Sequence, residues 1–237
     1  MGKTRKKQNL LLASLFFISI TIIILAVFTI INIGNILLTA LFAIMMVLLL
    51  FLLLSFKSKY EYYTHLYKYQ YLLSVANKPN ISKKIISLDF LKDFLRKNNY
   101  TIHNETKDYL LYYKVDNSLS KKERHKTLYA SLIIKNKNIR FTDDKINNYF
   151  GSLEKKLSNS KVKYIHRIFY KFKIQDNQPL DIEDANNVFF ISTKNQHIII
   201  LNIVLLENTN TFYYLYSDKY TPNIYYKHAT DFLNKLI

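Results

Sequence analysis

The chain has 237 residues, with 34 Lys and Arg against 17 Asp and Glu, for a formal net charge of +17. It has no Cys, which excludes disulfides, Cys zinc sites and thiol chemistry. Its three Gly, at positions 2, 34 and 151, are too few and too scattered for a Walker loop or a dinucleotide-binding turn.

The first element is the longest. From Asn9 to Phe56 there is no charged residue, and two apolar runs fill the stretch, Leu10–Ile31 and Ile36–Phe56. At 1.5 Å per residue, a run of about 20 residues spans a hydrocarbon core of about 30 Å. Lipid offers the backbone no hydrogen-bond partner, so each run is expected to be a helix. Asn32-Ile33-Gly34-Asn35 is expected to turn the chain between them, because Gly and Asn tolerate positive φ. A secretory signal peptide fits poorly, since the first run is too long and has no small-residue cleavage site near Ile31. Lys6, where Ser or Thr belongs, argues against myristoylation of Gly2. The spans hold no ionisable group for an ion path and no strong small-xxx-small seam.

Basic residues flank the hairpin: residues 1–9 carry Lys3, Arg5, Lys6 and Lys7, and Lys57, Lys59 and Lys68 follow the second span. The excess of Lys and Arg places both termini in the cytoplasm of a multi-pass cell-membrane protein. Residues 57–80 read as a Tyr-rich juxtamembrane helix and linker. Six Tyr between Tyr60 and Tyr71 suit the membrane interface, where a ring is buried and its hydroxyl wet. Tyr62, Leu66, Tyr69, Leu73 and Ala76 recur at helical spacing, a face for packing on the domain or on a second copy in a homo-oligomer. Asn77-Lys78-Pro79-Asn80 is the expected linker.

Residues 81–237 read as a cytoplasmic α+β domain with a mostly antiparallel sheet and about three helices. It is basic in its own right: 30 of the 34 Lys and Arg and all 17 acids follow the hairpin, leaving +13. Such an excess suits anionic lipid headgroups or nucleic acid. Abundant Lys, Asn, Ile, Tyr and Phe also fit A/T-rich coding. Ser87 is expected to cap a helix with Ile86 and Leu91 as its hydrophobic staple, the buried face being Leu88, Leu91, Phe94 and Leu95. Tyr100–His103 and Tyr109–Val115 read as a strand hairpin. Asn117–Lys126 reads as a polar loop, and Leu128–Ile134 with Ile139–Thr142 as a second hairpin. A helix starts at Thr142, with Ile146, Tyr149, Phe150, Leu153 and Leu157 on one face and charges ordered to suit its dipole.

Lys161–Ile174 then reads as one strand. Its even positions are apolar apart from His166; its odd positions carry Lys161, Lys163, Arg167, Lys171 and Lys173, with Phe169 among them. A cationic strand face could meet lipid phosphates or nucleic acid; a solvated face on an edge strand is the ordinary alternative. Asp176–Asn187 reads as a loop or short helix, and Val188–Thr193, His197–Leu206 and Phe212–Tyr216 as antiparallel strands. The second of these, apolar on both faces, belongs at the centre of the sheet. Ile224–Tyr226 reads as a short strand and His228–Ile237 as a closing helix.

Candidate chemistry is thin. Asp181, Glu183 and Asp184 could hold a divalent cation but lack the Gly and distal Glu of a calcium loop. Asp143 and Asp144 could act as acid and base, although helix capping explains them. The six His (His65, His103, His125, His166, His197 and His228) show no metal-ligand spacing, and His166 is expected in the core. Asp108 and Glu207 do not start the acid-x-Lys triplet of a restriction-type nuclease. No cofactor is implied. The expected function is non-enzymatic: a two-span membrane protein whose basic domain binds or docks at the inner leaflet. A membrane-tethered metal-dependent hydrolase or nuclease is the alternative, and a docking subunit of a larger membrane complex a third reading.

Overall fold

The structure, a computed structural model, describes residues 1–81, 87–117, 126–175, 182–193 and 196–236. The chain divides into two compact units, Met1–Tyr71 and Leu72–Ile237.

The first unit is a helical hairpin of α1 (Gly2–Ile31) and most of α2 (Ile36–Ser74). Both helices are long and apolar enough to cross a membrane. The turn between them needs no positive φ, contrary to expectation. Side chains hold it instead. Asn32 Nδ2 donates to the Phe28 carbonyl (2.9 Å), Thr39 Oγ1 to the Asn32 carbonyl (2.8 Å), and Asn35 Oδ1 accepts from the Leu38 N–H (3.3 Å). Both helices overrun the uncharged stretch. The first two turns of α1 lie along residues 63–70 of α2: Thr4 Oγ1 donates to Gln70 Oε1 (2.9 Å), and Gln8 Nε2 to Thr64 Oγ1 (3.0 Å). Lys7 Nζ sits 5.4 Å from the Tyr63 ring centre and the Arg5 guanidinium 5.9 Å from that of Tyr67. The basic N-terminus therefore meets the tyrosines of α2, on positions next to the expected Tyr62, Leu66, Tyr69 and Leu73 seam.

In the second unit the elements are β1 (Asn80–Ile81), α3 (Leu88–Lys97), β2 (Thr101–Glu105), β3 (Tyr109–Asn117), β4 (Lys126–Ile134), α4 (Asp144–Asn159), β5 (His166–Gln175), α5 (Ile182–Asn186), β6 (Phe189–Ser192), β7 (His197–Leu206), β8 (Thr211–Tyr213) and α6 (Ile224–Asn234). One mixed sheet runs β1-β8-β7-β5-β4-β3-β2, with β6 also paired to β7. The fold is α+β, but the sheet departs from the antiparallel expectation at its centre, where β4, β5 and β7 are mutually parallel. The 16-residue α4 carries the chain from the end of β4 back to the start of β5, which a tight turn cannot do. The antiparallel pairs flank this centre: β3 with β4 and β2, and β7 with β6 and β8.

Helices cover both faces. Paired residues point the same way, so Tyr112, Ser131, Tyr170 and Leu201 form a row on one face. There Phe232 of α6 meets Phe94 of α3 and Tyr170, and Tyr226 donates from its hydroxyl to the Leu215 carbonyl at 2.5 Å. On the opposite face Ile146, Phe150, Leu153 and Leu157 of α4 pack on Leu128, Ala130, Leu132 and Phe169. The Phe150 and Phe169 rings stack at 4.4 Å. Ser87, Asp143 and Asn223 cap α3, α4 and α6 with side-chain oxygens. Ile86, the expected staple partner, lies outside the described residues.

Three other expectations are corrected. Ile139–Thr142 is no strand: the antiparallel partner of β4 is β3, and Phe141 drops into the core. Ile224–Tyr226 is the first turn of α6, because Asn223 supplies the cap. The expected linker is bonded into the domain: Asn77 N–H donates to the Tyr216 carbonyl (2.9 Å), and Asn80 pairs with Phe212.

Candidate functional site

The cationic face read from Lys161 to Lys173 is not one surface. β5 starts at His166, so Lys161 and Lys163 precede it, Lys161 in the left-handed region at φ 56°. β5 lies between β4 and β7, not at an edge, and its odd-numbered face is roofed by α4 and α5. Lys171 and Lys173 are therefore buried, at 8% and 4% exposure. Alternation identified the two faces, but burial on both sides is a property of the topology.

Lys171 has a definite task. Its Nζ donates to the Phe141 carbonyl at 2.8 Å, while Asp184 Oδ2 accepts the Phe141 N–H at 2.9 Å. The Lys and the acid grip the two sides of one residue of the loop before α4. Asn202 of β7 completes the network, donating to the carbonyls of Asp184 (2.9 Å) and Asn187 (2.7 Å). Burial lowers the Lys171 pKa to about 8, opposed by the nearby Asp184 charge. Lys173 lies 5.9 Å from the Phe141 ring centre. Asp184, expected as a weak metal ligand, is thus a buried structural acid, and Glu183 is exposed on α5. Asp181 lies outside the described residues. No cluster of three His, Asp or Glu able to hold a metal occurs among the described residues. Asp143 caps α4, accepting the Lys145 N–H at 2.8 Å.

Arg167 and Lys163 do come together, joined by Lys126, the last residue of the polar stretch Asn117–Lys126. A hollow of about 590 Å³ is lined by Lys126, Ser158, Val162, Lys163, Tyr164 and Arg167. Lys126 opens β4, Arg167 is the second residue of β5, and Ser158 and Lys163 flank the end of α4. The parallel pairing of β4 and β5 sets the two strand starts side by side, and the Ile165 N–H bonds the Lys126 carbonyl at 3.0 Å. Arg167 is partly neutralised: its Nε meets Glu154 Oε1 at 2.5 Å, and its guanidinium lies 5.4 Å from the Tyr164 ring centre. Lys126 and Lys163 are exposed and make no ion pair among the described residues.

A second hollow, about 270 Å³, opens on the other face between Asn98, Tyr100, Lys114, Tyr129, His228 and Asp231. Lys114 Nζ donates to the Asn98 carbonyl (3.3 Å) and lies 4.9 Å and 5.1 Å from the Tyr100 and Tyr129 ring centres. Burial lowers the pKa of Lys114 and of His228, and raises that of Tyr129 to about 12. Lys114 is thus held at the wall of this hollow by the Asn98 carbonyl and the Tyr100 and Tyr129 rings.

Register also explains a contact that the scattered His gave no sign of. His166 and His197 open neighbouring parallel strands, and their rings lie 4.9 Å apart, with Tyr225 stacked on His197 at 3.9 Å. Ser192 Oγ lies 2.6 Å from His197 Nδ1, closing the β6–β7 turn. His166 is buried, as expected. His103 sits by Ser152 (3.4 Å), and burial lowers its pKa. His125 lies outside the described residues. Comparison with protein-family models, with curated proteins and with solved structures finds no match.

Proposed function

We propose that the chain is a two-span membrane protein whose α+β domain is a non-enzymatic binding module held at the inner leaflet. The observation that carries this reading is the outward face of the hairpin. Large apolar side chains point away from it on all sides, with Phe17 73% and Leu37 78% exposed, while Thr4, Ile18, Leu25 and Leu72 are the residues of the two helices that are buried. An apolar sheath of this extent needs hydrocarbon around it. The Lys and Arg of both flanks favour cytoplasmic termini. The hydrolase reading is weaker, because Asp184 is engaged by the Phe141 backbone and lies in no cleft with a metal-binding cluster among the described residues.

The absence of Cys makes the test direct. In intact cells, a membrane-impermeant maleimide is expected to label Asn35→Cys, and to label Lys3→Cys and Glu207→Cys only after permeabilisation. The opposite pattern, or recovery of the chain in the aqueous fraction after an alkaline wash, discards the proposal.

A further inference from the structure

Resting on the membrane reading above, we infer that the domain docks on an anionic bilayer surface through the uncovered end of its α4 face. The register defines the patch. Arg167 of β5 pairs with Ile198 of β7, and Ile198 with Ile191 of β6. These three side chains form a row on one face, with strands about 4.8 Å apart. In the next row Phe169 pairs with Ile200, and Ile200 with Phe189. Phe169 lies under α4, but towards the edge the cover ends: Ile200 and Ile198 are half-buried, and Phe189 and Ile191 are 39% and 37% exposed. The apolar strip thus runs from the core out to β6, and Arg167 joins it to the hollow that holds Lys126 and Lys163.

The chemistry of that juxtaposition selects the occupant. An apolar strip beside Lys126 and Lys163, which are exposed and make no ion pair among the described residues, matches the interfacial zone of a bilayer, where Ile and Phe enter below the headgroups and Lys meets phosphate and carboxylate. A second copy of the chain would bring the same cations against each other. Nucleic acid would engage the cations and leave Ile191 in water. The tether supplies the rest, because a domain fixed to the membrane meets its surface at a high effective concentration, so a few weak contacts suffice.

The test uses the full chain reconstituted in vesicles, with an environment-sensitive dye on Ile191→Cys. In phosphatidylcholine vesicles containing phosphatidylserine the emission is expected at shorter wavelength than in phosphatidylcholine alone, and 1 M salt is expected to abolish the difference. Lys163→Gln is expected to lower the docked-to-undocked ratio roughly fivefold, and Lys126→Gln with Lys163→Gln roughly 25-fold. A dye on Glu207→Cys, about 30 Å further along β7, is expected to report water throughout. An Ile191 dye that reports water in both lipids overturns the inference while leaving the hairpin topology intact. So does a shift that is independent of lipid charge, or one that disappears on dilution with excess lipid, which marks a contact between copies. Failure of the maleimide pattern removes the membrane reading itself.

Discussion

At the scale of single residues, the instructive pair is Lys171 and Asp184. Each looks like surface chemistry in the sequence, yet they meet through the Phe141 peptide groups inside the domain. A buried charge is costly when its partner is removed, whereas apolar replacement of both partners together is often neutral. Asp184→Ala and Lys171→Met are therefore each expected to destabilise the domain, by about 3 kcal/mol, and Asp184→Leu combined with Lys171→Met to cost less than the sum of the single changes. Thermal unfolding of the full chain in detergent measures all three. The pH dependence has a definite sign. The folded Lys171 pKa, about 8, lies below its ordinary 10.5, so between these values the unfolded chain holds a proton that the native chain has lost. Stability is therefore expected to rise with pH from about 8 to about 10 in the parent and to stay flat over that range in Lys171→Met. Above pH 10 the buried tyrosines reverse the trend, since burial raises the pKa of Tyr170, Tyr214 and Tyr100 and the unfolded chain ionises first.

At the scale of elements, caps and crossovers decide what hydropathy leaves open. The segment from Ile224 carries enough β-branched and aromatic residues to read as a strand. Asn223 Oδ1 accepts the Tyr226 N–H at 2.8 Å and starts a helix instead, placing Tyr225, Tyr226, Phe232 and Leu233 on the sheet. Asn223→Ala is expected to cost about 1 kcal/mol and Asn223→Asp almost nothing, read as the shift in unfolding midpoint. β5 teaches the same lesson. Alternating Lys and apolar residues suggest a half-exposed strand, but α4 covers one face, α6 the other, and β4 and β7 its two edges. Long Lys side chains tolerate this because the stem is apolar and only the tip needs a partner.

For the whole molecule, the two units differ in what holds them: a helical hairpin whose outer face is apolar, which the membrane reading sets in lipid, and a packed sheet with helices on both faces. Heating the full chain in detergent is expected to melt the domain first, while the far-UV helical signal of α1 and α2, 30 and 39 residues long, persists, because their backbone bonds are internal and water is excluded. A single transition that removes all helicity at once would count against a lipid-held hairpin. The helical hairpin, the position of its turn though not the geometry that makes it, α4 and the interior β7 were legible in the residues themselves, because each rests on local composition or on a period of 3.6 or 2. Which strands run parallel was not legible, nor that Lys171 lies inside, nor that Lys126, Lys163, Arg167 and Ile191 share one surface. Those facts depend on register between strands distant in the chain, which the tertiary structure sets when α4 returns the chain to the start of the sheet.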